Sequence, residues 1–213
     1  MSRYFVGITG ASGHAYAQAL IRALVAAGHA VDCSITPAGC KVLRHELSVE
    51  AGEHGERLGE ALVDWLGAEV AAHVRAFDSM AVEAPPSSGT SLTGGVVLCP
   101  CSMGTLARVR VGFSSNLVER AADVALKEGR TLLLVPRETP LSEIHLDNML
   151  QLARMGAVIA PAAPGFYHHP RSLQDLVDHV VGKLLDRLGV EHALGARWKG
   201  VIGPADEDPG LQR

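Results

Sequence analysis

Aromatic residues are scarce in this chain of 213 residues, at 4% of the sequence. No apolar run approaches the roughly 18 residues that a membrane span needs, and neither sign of charge is in large excess, since the formal net charge is −4 at pH 7. These absences exclude a membrane-spanning protein and give no electrostatic reason to expect nucleic acid or membrane partners. The chain is long enough for one domain of ordinary size, and its core must consist mainly of Ala, Val and Leu.

Cysteine is also scarce. The four residues Cys33, Cys40, Cys99 and Cys101 lack the paired spacing of zinc ligands and lie among apolar neighbours. We therefore expect reduced thiols and no metal site. The first residues lead directly into a strand and a glycine-rich turn, which is not the pattern of a signal peptide, so we expect a cytoplasmic protein.

Short apolar segments alternate with amphipathic ones along the whole chain. The pattern predicts strands at 4–9, 30–36, 74–77, 96–99, 132–135 and 157–160, and helices at 15–27, 37–46, 56–66, 116–127, 142–155 and 172–188, with Ser142 and Ser172 as N-caps. Such alternation predicts a mostly parallel sheet covered by helices on both faces. We expect a single α/β domain over 1–213, Rossmann-like or flavodoxin-like, whose tail at 190–213 packs on a neighbouring subunit.

The turn that follows the first strand is rich in glycine, with Gly10, Ala11, Ser12 and Gly13 in succession. Its amides and the following helix N-terminus suit a phosphate, although such turns also exist merely for tight packing. The second strand ends at Thr36, with hydroxyls and no carboxylate to hold an adenosine ribose. This argues against NAD and leaves a mononucleotide, flavin included.

Two later strands also end in small or charged residues, at 101–104 and at Arg137–Glu138. Ligands of open α/β sheets bind at such strand ends, so we interpret 97–149 as the floor and one wall of a cofactor site. Arg137 and Glu138 lie between two prolines, where a charge pair more often faces a site than stabilises the fold. Cys101 is either a low-pKa thiol or, preferably, a small residue that packs against the ligand.

Other polar residues have ordinary explanations when taken singly. Arg120 and Lys127 fit a solvated helix face, and Glu46 fits a surface carboxylate. Tyr167 precedes two histidines, but no further ligand is spaced to complete a metal site. An aromatic loop over a pocket is the preferred interpretation there.

Several motifs, in order along the chain, resemble the UbiX-type flavin prenyltransferases. They include Cys-Pro-Cys-Ser-Met-Gly-Thr-Leu at 99–106, Pro-Arg-Glu-Thr-Pro-Leu at 136–141, and shorter matches at 116–128, 144–149 and 164–167. The resemblance extends from Gly10 to Trp198. It implies a flavodoxin-like fold, a homo-oligomer such as a dodecamer built of trimers, and catalysis without metal. The implied activity joins a dimethylallyl group from dimethylallyl phosphate to reduced FMN. The product, prenylated FMN, is the cofactor of UbiD-type decarboxylases, and a flavin reductase supplies the reduced FMN.

The resemblance also implies site residues. The FMN-binding residues would be Gly10, Ala11, Ser12, Thr36, Cys101, Ser102, Met103, Gly104 and Arg137. The substrate-binding residues would be Ser88, Arg120, Lys127, Arg137, Tyr167, Lys183 and Trp198, with Lys183 where the family commonly has Arg. Glu138 would manage protons at the departing phosphate, and Glu46 and Ser12 those on the flavin.

Two rival interpretations remain at this point. One is an FMN-dependent cysteine decarboxylase, although the Pro-x-Met-Asn-x-x-Met-Trp signature of that group is absent. The other is a noncatalytic FMN-binding or flavin-delivery protein. The sequence does not decide between a monophosphate and a diphosphate donor.

Overall fold

A computed structural model describes residues 1–89, 91 and 94–195. These residues form six strands in one parallel sheet, in the order β3-β2-β1-β4-β5-β6. The strands are β1 (Arg3–Ile8), β2 (Ala30–Ile35), β3 (Val74–Phe77), β4 (Gly95–Cys101), β5 (Leu132–Pro136) and β6 (Val158–Ile159). This is the doubly wound Rossmann order, so the predicted fold class is confirmed.

The helices follow the predicted pattern with small changes at their ends. They are α1 (His14–Ala26), α2 (Pro37–Leu47), α3 (Leu58–Leu66), α4 (Ala68–Ala71), α5 (Met103–Arg110), α6 (Leu117–Lys127), α7 (Glu143–Arg154) and α8 (Leu173–Leu188). Ser142 and Ser172 are the N-caps of α7 and α8, as predicted. No bounds had been predicted for α4 and α5, which are short. In the described part of the long loop before β4, Pro85–Ser87 form a 3₁₀ turn.

Alternate residues of the central strands bury their side chains on opposite faces of the sheet. Val6 and Ile8 of β1 join the core beneath α1, α2, α3 and α8, whereas Phe5 joins the core beneath α5, α6 and α7. Gly7 lies where α6 crosses the sheet, because a Cβ there would be 2.7 Å from a side-chain carbon of Val118. The sheet is therefore covered on both faces, as the apolar strands predicted.

The chain reverses its direction of winding between β1 and β4. In a sheet of this order the crevice outside the carboxyl ends of those two strands is the usual ligand site. No helix in the described part of the chain is long and apolar enough to cross a membrane. The predicted tail contact falls on residues that include 196–213, which lie outside the described residues.

Candidate functional site

Thr9 ties together the two turns that border the crevice. Its side chain is fully buried, its hydroxyl donates to the Pro100 carbonyl at 2.9 Å, and the same hydroxyl accepts from the Ser102 amide at 2.7 Å. The turn after β1 and the turn after β4 are thus fixed relative to each other. Sequence analysis missed Thr9, although a hydroxyl directly before a glycine-rich turn was a signal for it.

The glycine-rich turn packs tightly against α2 on one side and exposes a hydroxyl on the other. A Cβ on Gly10 would be 2.6 Å from the Cβ of Ala38, so only glycine allows α2 to approach this closely. Ala11 is buried and Ser12 is exposed. The turn therefore leaves Ser12 exposed at the carboxyl end of β1, next to the crevice, while Gly10 packs against α2.

Glu46 reaches from the end of α2 to the N-terminus of α1. Its carboxylate accepts from the Gly13 amide at 3.0 Å and from the His14 amide at 2.9 Å, and its side chain is 23% exposed. Partial burial raises the pKa of Glu46, but hydrogen bonds from the Ser12 side chain and from these two amides outweigh it, so the pKa lies below its usual value. Glu46 is thus an exposed residue, as expected when it is taken singly, and it is also the anion that caps α1.

This contact changes which group the N-terminus of α1 binds. The Gly13 and His14 amides, which the sequence offered to a phosphate, already serve a carboxylate of the protein itself. A phosphate at these two amides would have to displace Glu46 or lie beside its charge. The helix terminus and the ionised Glu46 instead hold the Ser12 hydroxyl at the crevice.

His14 is a buried neighbour that sequence analysis did not single out. Its side chain is fully buried, and Nδ1 lies 3.5 Å from Glu46 Oε2. Burial lowers the pKa of His14, against the opposing effect of the Glu46 charge. His14 is therefore neutral at pH 7 and packs beneath the Ser12–Glu46 contact.

The second turn, after β4, combines a helix cap with a buried thiol. Ser102 caps α5 by accepting from the Thr105 amide at 3.3 Å, and Thr36 caps α2 in the same way, from Gly39 at 3.2 Å. Burial raises the pKa of Cys101 to about 12. Cys101 is therefore not a low-pKa thiol, and the preferred alternative of a small packing residue remains. Met103 is buried and Gly104 exposed.

Arg137 follows β5, the neighbour of β4 in the sheet. Its Nε is buried and has no hydrogen-bond partner among the described residues. Leaving a buried donor unsatisfied is costly, and an oxygen of a bound anion or flavin would satisfy it. Glu138 is exposed, and its carboxylate accepts from the Thr139 amide at 3.1 Å. All the predicted FMN residues, Ser12 included, thus lie at the carboxyl edge of β1, β2, β4 and β5, together with Glu46 and Glu138.

The predicted substrate residues on α6 do not all reach that edge. Arg120 lies in the first turn of the helix and pairs with Asp123 at 3.1 Å. Lys127 lies in the last turn, pairs with Glu128 at 3.2 Å, and is roughly 10 Å further along the axis at 1.5 Å per residue. Because α6 leads into the amino end of β5, Lys127 lies toward the opposite edge of the sheet.

Ser88 lies on the same side as Lys127. It directly precedes Gly89, where a Cβ would collide with the Glu128 carboxylate, and the Gly89 carbonyl accepts from Arg130 at 2.8 Å. The loop that carries Ser88 therefore packs against the C-terminal end of α6. Within one chain, Ser88 and Lys127 are separated from the crevice.

Tyr167 and Lys183 form a third group, on the flank of α8. Tyr167 is 48% exposed and its hydroxyl lies 3.0 Å from His179 Nε2. Lys183 is exposed and follows His179 by one helical turn. Trp198 lies outside the described residues. In the part of the chain that is described, no three His, Cys, Asp or Glu side chains are grouped to hold a metal ion.

A crevice at the switch point of a Rossmann-ordered sheet, with a buried guanidinium donor at its edge, is the arrangement of a nucleotide- or flavin-binding protein. Residues 2–185 match the protein-family model described as Flavoprotein. The chain belongs to that family and, within it, to the UbiX-type flavin prenyltransferases.

Relatives and solved structures support this assignment over most of the chain. The flavin prenyltransferase UbiX of Halalkalibacterium halodurans is 47% identical over 195 residues, which are 92% of each protein. The crystal structure of AnUbiX (PadA1) in complex with FMN and dimethylallyl pyrophosphate is 36% identical, with a TM-score of 0.81 over 94% of this chain and 98% of that one. A dodecameric FMN-dependent UbiX-like decarboxylase from Escherichia coli O157:H7 is 40% identical, with a TM-score of 0.80 over 93% and 100% of the two chains. The resemblance inferred from the motifs is confirmed.

Proposed function

We propose that this flavin prenyltransferase transfers a dimethylallyl group from dimethylallyl phosphate, or its diphosphate, to reduced FMN. The observation that carries the proposal is the buried Nε of Arg137, which lacks a protein partner among the described residues and lies where β5 ends. The similarity to a structure that holds FMN and dimethylallyl pyrophosphate supports the same two ligands here. The product would be prenylated FMN, for use by a UbiD-type decarboxylase.

FMN would lie along the carboxyl edge of the sheet, where the residues predicted to bind it follow β1, β2, β4 and β5. The two turns fixed by Thr9 supply small side chains and exposed hydroxyls, and Arg137 supplies a donor that needs an acceptor. Reduced FMN would supply nucleophilic ring atoms and a π face that tolerates an allylic cation. The FMN contacts would come from Gly10, Ala11, Ser12, Thr36, Cys101, Ser102, Met103, Gly104 and Arg137.

Ser12 and Glu46 would handle the proton that the flavin loses when its new bond to carbon forms. The pKa of Glu46 is lowered by its hydrogen bonds in spite of partial burial, so the carboxylate is ionised at neutral pH. It bonds to the Ser12 side chain, which lies at the crevice. A proton can therefore pass to the Ser12 hydroxyl and on to Glu46, since an ionised carboxylate is an acceptor only.

The phosphate of the prenyl donor leaves with the electron pair of the broken carbon–oxygen bond. Cations fixed around it stabilise the charge that develops, and an acid nearby can protonate the leaving oxygen. Arg137 and Glu138 would take these two roles, and their position directly after β5 supports this assignment. Tyr167 and Lys183 would add a hydroxyl and an ammonium from the flank of α8.

The remaining phosphate residues would come from a neighbouring copy of the chain. Ser88 and Lys127 lie toward the opposite edge of the sheet, so they cannot complete the crevice of their own subunit. A homo-oligomer would bring them to the crevice of the next subunit, and a similar protein is dodecameric. Exposed apolar side chains on α7, such as Ile144 at 71% and Leu146 at 53%, suit such an interface. We propose a trimer-based dodecamer, with Arg120 and Trp198 also near a subunit boundary.

Cytoplasmic location and supply of reduced FMN by a flavin reductase complete the proposal. All four cysteines are free and buried, which fits a reducing compartment. No described side chain participates in a metal cluster, and metal independence stays a prediction.

Anaerobic incubation with reduced FMN and dimethylallyl phosphate, followed by mass spectrometry of the flavin, tests the function. We expect the flavin mass to rise by one dimethylallyl group, and a parallel reaction with the diphosphate tells which donor is used. If the flavin is unmodified with both donors, the result would favour the alternative of a noncatalytic FMN-binding protein. Release of carbon dioxide from a C-terminal cysteine peptide, without prenylation, would identify the decarboxylase alternative.

A further inference from the structure

His179 of α8 holds the loop between β6 and α8 at both of its ring nitrogens. The Gly165 amide donates to His179 Nδ1 at 3.2 Å, and the Tyr167 hydroxyl lies 3.0 Å from His179 Nε2. The His179 ring also stacks on His168, with centroids 4.9 Å apart and planes 5° apart. His179 thus has one defined orientation and a defined contact with Tyr167.

These contacts determine the direction of the hydrogen bond to Tyr167. A ring nitrogen that accepts an N–H bond carries no hydrogen, so in the neutral ring the hydrogen is on Nε2. Burial lowers the pKa of His179, and the charges of His168 and Lys183 lower it further, which keeps the ring neutral near pH 7. His179 Nε2–H therefore donates to the Tyr167 oxygen, and the tyrosine O–H is directed to a different acceptor.

We propose that His179 is a positioning residue that orients the Tyr167 hydroxyl as a donor to the phosphate of the prenyl substrate. This inference rests on the proposed function, which places Tyr167 and Lys183 at that phosphate. Lys183 follows His179 by four residues and so lies on the same face of α8. A tyrosine turned the other way would present its lone pairs to a phosphate anion and repel it. His179 prevents that orientation.

A double-variant cycle on the full-length protein tests the inference. His179→Phe keeps a flat ring to stack on His168 and removes both hydrogen bonds, whereas Tyr167→Phe removes the hydroxyl that His179 is proposed to orient. We expect each variant to raise the KM for dimethylallyl phosphate about 3- to 10-fold, the effect of one hydrogen bond, with the dissociation constant for FMN unchanged. The double variant should be within about twofold of Tyr167→Phe alone, because His179 acts through the hydroxyl.

Two further variants separate positioning from mere support of the loop. His179→Gln places an amide donor near the position of Nε2 and should restore most of the KM. His168→Phe preserves the stacked ring and should leave the KM unchanged. Multiplicative effects of the two Phe substitutions would overturn the inference, as would failure of His179→Gln to improve on His179→Phe.

The proposed function is tested separately, by whether the wild-type protein forms prenylated FMN. If the wild type forms prenylated FMN but Tyr167→Phe has a normal KM, the function stands and the inference is wrong. If the wild type forms no prenylated FMN, the proposed function fails and the inference fails with it. Thermal unfolding midpoints of all variants should stay close to that of the wild type, because His179 is only partly buried.

Discussion

Replacing Glu46 with Gln tests how the crevice is built, independently of any ligand. The variant keeps the shape of the side chain and an oxygen that can accept from the Gly13 and His14 amides, but it removes the negative charge. In the wild type these bonds are 2.9–3.0 Å long, and the carboxylate lies at the N-terminus of α1. Glu46→Gln should therefore weaken both the charge-assisted hydrogen bonds and the interaction with the helix dipole.

The magnitude follows from those two contributions. A hydrogen bond to a charged group contributes about 1.5–3 kcal/mol and a neutral one about 0.5–1.5 kcal/mol. A charge at a helix terminus adds about 0.3–1 kcal/mol when exposed and up to ~2 kcal/mol when partly buried. With a side chain that is 23% exposed, solvent screens part of both effects, and we expect a net loss of about 1–2 kcal/mol. For a chain of this length that lowers the unfolding midpoint by roughly 2–8 °C.

Thermal unfolding at equal protein concentration measures the loss, since assembly contributes to the midpoint. Glu60→Gln is the matched control. The Glu60 side chain is 75% exposed and pairs only with Arg57 at 3.4 Å among the described residues, so we expect a change below about 0.5 kcal/mol. Equal midpoints for the two variants would refute the capping role of Glu46.

The pH dependence provides a second check. The folded-state pKa of Glu46 lies below its unfolded value, so the folded chain binds this proton less tightly. The stabilisation is then present above the unfolded pKa and is lost as the pH falls through the folded one. The difference between wild type and Glu46→Gln should be constant from about pH 6 to 8 and should shrink below roughly pH 4. A difference that grew at acid pH would contradict the assignment.

The other predictions concern binding and catalysis. Ser12→Leu should keep the fold and lose FMN, so that the purified protein is colourless. Ser102→Leu should also lose FMN, and it should lower the stability by about 1 kcal/mol because it removes the N-cap of α5. Full flavin retention in both variants would contradict this FMN placement. Glu138→Gln should bind FMN and form prenylated flavin at least about 10²-fold more slowly, and near-normal turnover would move the acid role elsewhere. Lys183→Ala should weaken binding of the prenyl donor by about 1.5–3 kcal/mol and leave the FMN affinity unchanged. Lys183→Arg should bind the prenyl donor as tightly as the wild type or more tightly. An unaltered KM for the prenyl donor in the alanine variant would show that Lys183 is a surface residue only. Light scattering should show an oligomer built of trimers, whereas a monomer at micromolar concentration would exclude a shared site.

The local pattern of the sequence determined the elements and the edge where the ligand binds. Apolar runs of strand length that end in small or polar residues predicted β1, β2, β4 and β5. A strand that is buried on both faces needs apolar side chains at nearly every position, so its sequence is easy to identify. Parallel strands all end at one edge, so the turns after them were predicted to meet there without knowledge of the strand order. Ser142 and Ser172 were predictable as N-caps because a cap depends on residues only three positions apart. The order of the motifs along the chain was enough to predict the family.

Contacts between distant residues were decided only by the tertiary structure. Glu46 and Gly13 are 33 positions apart, and no spacing rule relates them, so the sequence presented Glu46 as a surface carboxylate and the helix N-terminus as a phosphate site. Thr9 and Ser102, 93 positions apart, become partners only because β1 and β4 are neighbours in the sheet. Ser88 and Lys127 share a predicted role with Arg137, yet the direction of α6 carries Lys127 toward the opposite edge, and the loop with Ser88 packs against that end of α6. Sequence similarity relates residues by role, whereas the path of the chain decides which of them can contact one ligand within a single subunit.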